Sequence, residues 1–85
     1  QVDYLILFPN PASAETALRF VLNRGGDLGL EVYDALGRLR YAKVYGGLTP
    51  AEHHIPLPIE DWQSGLYLVR CRIGNQTLVK QLVVK

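Results

Sequence analysis

The sequence predicts an all-β fold, an immunoglobulin-like sandwich of about seven antiparallel strands in two sheets. Short runs of alternating apolar and polar residues recur at the spacing of roughly eight to twelve residues that sandwiches show. Glycine, proline, asparagine and aspartate separate these runs. No stretch of about 11 residues or more has the apolar period of a helix. At 85 residues, the chain is expected to form one domain, residues 1–85.

The N-terminal part of the chain contains three predicted strands. Residues 2–8 are apolar, and this strand ends at a Pro-Asn-Pro sequence because proline has no N–H to donate to a ladder. Residues 16–23 alternate cleanly and form the second predicted strand. Residues 28–33 alternate in the same way after a glycine-containing turn and form the third.

The middle of the chain contains two further predicted strands. Asp34 and Gly37 mark a turn, because aspartate can bond its own backbone and glycine can take a left-handed conformation. Residues 38–45 form the fourth strand, whose phase the sequence does not fix. Residues 53–57 form a short fifth strand, and Pro56 inside it predicts an edge position.

The last part of the chain reads as a β-hairpin. Four apolar residues alternate with leucine and arginine along residues 65–73, as expected of a half-buried strand: Tyr67, Val69, Cys71 and Ile73. Gly74 and Asn75 tolerate positive φ and predict a two-residue turn. The final strand has apolar residues on both faces, which a bulge or cover on both sides would explain. The sequence leaves those two explanations open.

Composition excludes several classes of function. Nine basic and eight acidic side chains are interleaved and give a net charge of +1, so there is no basic face for nucleic acid or an anionic membrane. No apolar run reaches the roughly 20 residues of a membrane-spanning helix, so no direct membrane insertion is expected. The single cysteine, Cys71, is in phase with apolar neighbours and is predicted to lie in the core. Because Gln1 is not a start methionine, the chain is expected to derive from a longer precursor.

Candidate catalytic and metal-binding residues have simpler structural explanations. His53 and His54 are adjacent on a strand, so their rings point to opposite faces and cannot hold one metal ion together. The carboxylates near turns are Asp34, Glu60 and Asp61, and turn capping explains Asp34 and Asp61 better than glycosidase chemistry does.

The serines and glycines lack the surroundings of known catalytic motifs. Ser13 and Ser64 have no Gly-x-Ser-x-Gly context, and Gly25-Gly26 lacks the lysine of a phosphate-binding loop. The sequence therefore predicts no catalytic residue, no metal site and no cofactor, and the domain is not expected to be an enzyme.

Two surface features keep alternative explanations. Five aromatic residues could form a platform for sugar: Tyr33, Tyr41, Tyr45, Trp62 and Tyr67. Alternatively, Trp62 closes one end of the sandwich, and this is the explanation that we favour. Lys80 and Lys85 could dock a partner, or they could keep an edge strand from pairing with other molecules.

Four segments, in this order and spacing, resemble the type A C-terminal sorting domain of the type IX secretion system of Bacteroidetes. Residues 8–12 (Phe-Pro-Asn-Pro-Ala) resemble the opening motif of that family. Residues 32–38 resemble its hydrophobic-x-Asp-x-x-Gly-Arg turn. Residues 64–69 resemble its Gly-hydrophobic-Tyr strand, and residues 77–85 are similar to its closing strand.

The resemblance implies a sorting signal at the C-terminus of a cargo protein. The cargo crosses the inner membrane with a signal peptide, is in the periplasm in transit, and is then recognised by the outer-membrane translocon. A sortase-like peptidase usually removes the domain, and the cargo is attached to the cell surface or released. The alternative is a carbohydrate-binding or adhesive sandwich module of a secreted enzyme.

The resemblance also implies roles for individual residues. Translocon or sortase recognition is expected at six positions: Gly65, Tyr67, Lys80, Val83, Val84 and Lys85. A structural role is expected at six others, of which the first three shape the entry to the fold: Pro9, Asn10, Pro11, Asp34, Gly37 and Arg38. We further expect the terminal hairpin to be read by strand addition, in which backbone hydrogen bonds supply affinity.

Overall fold

Seven strands in two antiparallel sheets make up the fold, as the sequence predicts. The computed structural model describes residues 2–85, apart from the side chain of Asp3. The strands are β1 (Val2–Phe8), β2 (Thr16–Leu22), β3 (Gly26–Asp34), β4 (Leu39–Leu48), β5 (Glu52–Leu57), β6 (Gly65–Ile73) and β7 (Gln76–Val84), with one 3₁₀ turn at Ile59–Asp61. The described residues contain no helix long and apolar enough to cross a membrane.

The strands divide unequally between the two sheets. One sheet has three strands in the order β1-β2-β5, and the other has four in the order β4-β3-β6-β7. In the constant-type immunoglobulin arrangement the fourth strand belongs to the sheet of the first two strands; here it pairs with β3. Pro56 lies on the edge strand β5, as predicted.

The core lies between the sheets and follows the predicted alternation. The largest fully buried side chains come from both sheets: Phe20, Leu18, Leu28, Leu30, Leu82, Val32, Val69 and Cys71. His53 stacks on Phe20 with ring centroids 5.3 Å apart, while His54 is exposed on the other side of β5. The two histidine rings therefore diverge as the strand geometry requires.

The register of β7 resolves the phase that the sequence left open. Its pairing with β6 is regular from the Ile73–Gln76 pair to the Gly65–Val84 pair, so there is no bulge. Leu82 and Val84 point into the core, and Val83 points outward and is exposed. Neither proposed explanation is therefore right, because one face of β7 simply carries exposed apolar residues.

Alternating strand directions divide the loops between two ends of the sandwich. One end holds the connections at residues 9–15, 35–38 and 58–64, together with Lys85. The opposite end holds the start of β1 and the turns at residues 23–25, 49–51 and 74–75.

Hydrogen bonds confirm this arrangement at the opposite end. The backbone N–H of Val2 donates to the Gln76 side chain (3.1 Å), and the N–H of Leu22 donates to the Ala51 carbonyl (2.9 Å). We call the first end, with residues 9–15, 35–38, 58–64 and Lys85, the motif end.

Candidate functional site

The four segments that carry the family resemblance meet at the motif end. The Pro-Asn-Pro-Ala segment follows β1, the Asp34 turn follows β3, Gly65 begins β6, and Lys85 follows β7. These segments are far apart in the sequence, and the antiparallel order alone brings them to one end of the sandwich. The motif end is therefore the candidate functional site.

Asn10 binds the last strand with both atoms of its side-chain amide. Its Nδ2 donates to the carbonyl of Gln81 (2.8 Å), and its Oδ1 accepts from the backbone N–H of Val83 (3.0 Å). The amide of asparagine is both donor and acceptor, so it can replace a backbone peptide group along a strand edge. The sequence predicts only that this segment shapes the entry to the fold, and the contact with β7 was not foreseen.

Ala12 continues this contact through its backbone. Its N–H donates to the carbonyl of Val83 (2.8 Å), and its carbonyl accepts from the N–H of Lys85 (2.8 Å). This is a parallel bridge between Ala12 and Val84. Ala12 is completely buried, which leaves no room for a larger residue. Together, Asn10 and Ala12 occupy the free edge of β7 over its last residues.

The two prolines of this segment have different surroundings. The carbonyl of Pro9 accepts a hydrogen bond from the Thr16 hydroxyl (2.7 Å), which ties the loop to the start of β2. Thr16 is the only buried polar residue among those the structure describes. Pro11 is exposed, and both X–Pro peptide bonds of the segment are cis.

Asp34 closes the β3–β4 turn, as predicted. Its Oδ1 accepts from the backbone N–H groups of Leu36 and Arg38 (both 2.9 Å), and its Oδ2 accepts from Arg38 Nε (2.8 Å). These bonds, led by the one from the Arg38 backbone, lower the pKa of the Asp34 carboxyl below its ordinary value. Gly37 has φ +83°, the left-handed conformation expected of glycine at this position.

The Asp34 turn and the start of β6 line one shallow groove of about 160 Å³. Its walls include Arg38 and Arg40 on one side and Ser64, Gly65 and Leu66 on the other. Gly65 is exposed and has φ +151°. Two of the motif segments therefore share a surface.

Tyr67 and Trp62 support this groove from below. The Tyr67 ring is buried, and its hydroxyl donates to the carbonyl of Gln63 (2.7 Å). Trp62 packs against Tyr67 and Tyr41, with ring centroids 5.2 Å and 6.0 Å away. Trp62 thus covers one end of the core, which confirms the interpretation favoured from the sequence.

The aromatic residues do not form a common platform for sugar. Tyr33 lies on the outer face of the four-stranded sheet, because its cross-strand partner Leu68 is exposed there. Tyr45 lies on the same side of β4 as Tyr41, opposite buried residues of β3, and Lys43 is 5.1 Å from its ring centroid. The rings are divided between two faces, so nothing favours the carbohydrate-binding alternative.

The residues of β7 predicted for recognition have different surroundings. Lys80 is opposite Val69 in mid-strand, about 16 Å of strand away from Lys85. Val84 is buried, whereas Val83 and Lys85 are exposed. The structure therefore brings Val83 and Lys85 to the motif end with Gly65, and it leaves Lys80 outside.

The other candidate residues are dispersed or inaccessible. Among the described side chains, which leave out Asp3, no three His, Cys, Asp or Glu groups are placed to hold a metal ion. Cys71 is fully buried, and burial raises the pKa of its thiol to about 12. The bend before Trp62 is closed by its N–H donating to the Ile59 carbonyl (3.0 Å), not by the expected Asp61 side-chain cap.

Sequence reasoning missed two features of this site. The partners of the Pro-Asn-Pro-Ala segment are backbone groups of β7. Because every residue type of β7 except proline has the same backbone groups, the sequence gives no sign of this contact. Leu66 and Leu68 are exposed, although their alternation with buried Tyr67 and Val69 already placed them on the outer face. The signal was the presence of leucine where a solvent-facing strand position is usually polar.

Comparison with protein families gives one result that covers nearly the whole chain. The model of the secretion system C-terminal sorting domain matches residues 6–85, which include all four motif segments. A comparison with curated proteins found no match. The chain therefore belongs to the family of secretion system C-terminal sorting domains, and it is a sorting signal for export across the outer membrane by the type IX secretion system.

Proposed function

We propose that the motif end is the surface through which the type IX machinery recognises this domain. The observation that carries the proposal is the direct contact between segments distant in sequence: Asn10 and Ala12 bind the backbone of Gln81, Val83 and Lys85. A signal made from several segments exists only when the domain is folded, so an unfolded chain does not present it. The domain on this proposal is the single unit formed by residues 1–85.

Burial divides the proposed recognition residues into two groups. Gly65, Val83 and Lys85 are exposed at the motif end and are available to a partner. Tyr67 and Val84 are buried and act by holding that surface in shape. Lys80 is exposed at mid-strand and contacts the machinery only if the interface extends along β7.

The structural group has a supporting role in this proposal. Asn10 holds the end of β7, Pro9 and Pro11 flank it in the same loop, and Asp34, Gly37 and Arg38 fix the turn beside Gly65. Each of these residues affects recognition through the position of a neighbouring exposed residue.

Strand addition to the end of β7 is not the mode of recognition that these contacts favour. Ala12 already takes the hydrogen-bonding positions of Val83 and Lys85 on the free edge. A partner strand would have to displace residues 10–12 there, so side-chain contacts are the better-supported mode at the motif end.

The partners we propose are the outer-membrane translocon and the sortase-like component of the type IX system. The domain passes through the periplasm, is recognised there, and is removed at the surface after the cargo has crossed. The role of the domain is non-catalytic, since its thiol is buried in the core and its histidines point to opposite faces.

The test compares two charge variants of a fluorescent reporter fused before residue 1, in a host with a type IX system. The motif-end variant carries Leu36→Glu and Lys85→Glu. The opposite-end control carries Arg24→Glu and Thr49→Glu, which change the charge equally at positions that are also exposed. We expect the wild-type fusion and the control to reach the cell surface. We expect the periplasmic amount of the motif-end variant to be at least tenfold that of the wild type.

Two outcomes count against the proposal. Equal export of both variants would show that the motif end is not read. Equal loss of export in both variants would show that export depends on the net charge of the domain and not on where the charges lie. Circular dichroism of each purified fusion establishes that the domain is folded before export is compared.

A further inference from the structure

The outer face of the four-stranded sheet carries a continuous apolar area near the motif end. Cross-strand pairing places Tyr33, Leu68 and Gln81 in one row, and Leu39 is the β4 partner of Tyr33, next to a register shift between Val32 and Tyr33. The adjacent row contains the pair Leu66 and Val83. Because paired residues point to the same side of a sheet, these side chains share one face. We call Tyr33, Leu39, Leu66, Leu68 and Val83 the apolar patch.

The apolar patch is open to solvent. Leu39 is 54% exposed, and Leu66, Leu68 and Val83 are each between 38% and 41% exposed. The solvated face of an antiparallel sheet is usually polar. A contiguous apolar area across several strands is instead typical of an interaction surface.

A cation without a carboxylate partner lies on the same face. Arg72 is paired across the strands with Gly29, and its guanidinium lies over the space that this glycine leaves open. Among the side chains that the structure describes, no carboxylate lies within 4.0 Å of Arg72 or of Arg40, whereas Arg70 Nε is 3.2 Å from Glu31 Oε1. The face therefore combines apolar area with positive charge that this chain does not neutralise.

The outer face of the three-stranded sheet differs in both respects. Its exposed large apolar residues, Tyr4, Ile6 and Phe8, lie along the single strand β1. Its cation Arg19 is 3.8 Å from Glu52, which also accepts a hydrogen bond from the Tyr4 hydroxyl. The charges of this face are thus compensated within the domain.

We propose that the apolar patch docks a folded protein of the secretion machinery whose apolar surface is bordered by carboxylates. This inference rests on the proposed function and extends the contact from the motif end along the outer face of the four-stranded sheet to Arg72, which lies about 20 Å of strand from Leu66. Leu66 and Val83 enter the apolar centre of the interface, and Arg72 pairs with an acidic residue of the partner. Guanidinium groups suit this role because they bind carboxylates with two parallel hydrogen bonds.

The charge of this face argues for a protein partner over two other occupants. An anionic membrane surface needs a cluster of several basic residues, and here Glu31 already accompanies Arg70. A second copy of the domain would present the same face, whose Glu31 is already paired, so Arg72 would again lack a carboxylate.

The experiment uses the reporter fusion with matched threonine substitutions on the two outer faces. The patch variant carries Leu66→Thr, Leu68→Thr and Val83→Thr. The control carries Tyr4→Thr, Ile6→Thr and Val21→Thr on the three-stranded sheet, where Tyr4 and Ile6 are 41% and 43% exposed, close to the 41% of Leu66. Threonine suits a strand. We expect export of the patch variant to fall at least tenfold while the control stays within twofold of the wild type.

A charge reversal tests the same interface without changing the apolar area. Arg72→Glu is compared with Arg24→Glu, which lies at the same end of the sandwich but in the β2–β3 turn, away from this face. We expect export to fall at least fivefold for Arg72→Glu and to be unchanged for Arg24→Glu. If the triple patch variant does not fold, this pair of variants still tests whether this face is the docking surface.

The outcomes separate the two proposals. If the wild-type fusion is not exported, the sorting role itself fails. If the wild type is exported and the patch and Arg72→Glu variants are exported equally well, the docking surface is wrong. It is also wrong if the purified domain dimerises through the patch, or binds phosphatidylglycerol vesicles and loses that binding in the patch variant.

Discussion

Asp34 organises its turn with both oxygens of one carboxylate. Three donors converge on it: two backbone N–H groups and the Nε of Arg38. Hydrogen bonds to the charged form favour ionisation, which explains why the pKa of Asp34 lies below its ordinary value of 3.8. Since the unfolded chain makes none of these bonds, Asp34 stabilises the fold above pH 3.8 and loses that effect as the pH falls through its folded pKa.

This pKa shift predicts a difference between the wild type and Asp34→Asn. Asparagine keeps an oxygen that accepts from Leu36 and Arg38 but has no charge to titrate. Between about pH 5 and pH 2, we expect the urea midpoint of the wild type to fall more steeply than that of the variant. Parallel curves would contradict the explanation. Glu60→Gln, at an exposed position, controls for the removal of one negative charge.

Single residues also show how far sequence reasoning reaches at this scale. The roles of Asp34 and Gly37 follow from local chemistry, because their partners lie within a few positions along the chain. The partners of Asn10 lie 71 and 73 positions away. No local rule specifies such a contact, since it depends on where β7 passes.

At the scale of elements, the loop after β1 acts as a short extension of the four-stranded sheet. Asn10 and Ala12 make four hydrogen bonds to the edge of β7. An unpaired edge is a site of unwanted association, so the loop both protects β7 and fixes its end. The contact links the two sheets at the motif end, where the core is capped by Trp62.

The side chain of Asn10 should make a measurable contribution to stability. Asn10→Ala removes two hydrogen bonds, and we expect it to lower the free energy of unfolding by about 1–2 kcal/mol. Asn10→Asp keeps an acceptor for the Val83 N–H but turns a carboxylate oxygen toward the Gln81 carbonyl, and this repulsion should make its loss of stability no smaller than that of Asn10→Ala. Urea denaturation followed by circular dichroism measures both.

A control and a second observable make this prediction specific. Gln81→Thr leaves the backbone carbonyl that accepts from Asn10 in place, and its effect should stay within about 0.5 kcal/mol. Hydrogen exchange of the Ala12 amide should be slow in the wild type and faster in Asn10→Ala. Unchanged exchange and unchanged stability would show that the loop does not hold β7.

At the scale of the whole molecule, the two termini of the chain lie at opposite ends of the sandwich. Val2 and Lys85 lie at opposite ends, since β1 begins where β7 also begins and the chain finishes at the motif end. A protein joined before residue 1 therefore leaves the motif end open. A protein joined after Lys85 lies directly against it.

This geometry predicts that position of attachment controls export. A folded reporter joined directly after Lys85 should reduce export at least tenfold relative to the same reporter joined before residue 1, because it covers the exposed residues near Gly65. Lengthening a Gly/Ser linker after Lys85 should restore export progressively. Surface fluorescence of the series is the measurement. Full export with no linker would contradict a recognition surface at the motif end.

The sequence by itself determined the all-β class, the seven strands, the two-sheet arrangement and the family. The fold class and the strands follow from alternation along single strands and from turn chemistry, which are local properties. The family follows from the resemblance of four short motifs. The turn at residues 74–75 was also predicted, although only Gly74 adopts positive φ.

Only the tertiary structure decided which residues lie together at the motif end. It showed that four segments share that end, that Tyr67 and Val84 are buried, and that Lys80 lies apart. Pairing between strands distant in sequence sets these relations, and alternation within one strand carries no information about its neighbours. The phase of β7 has the same cause: the sequence offered a bulge or cover on both faces, and the regular pairing with β6 and the exposure of Val83 exclude both.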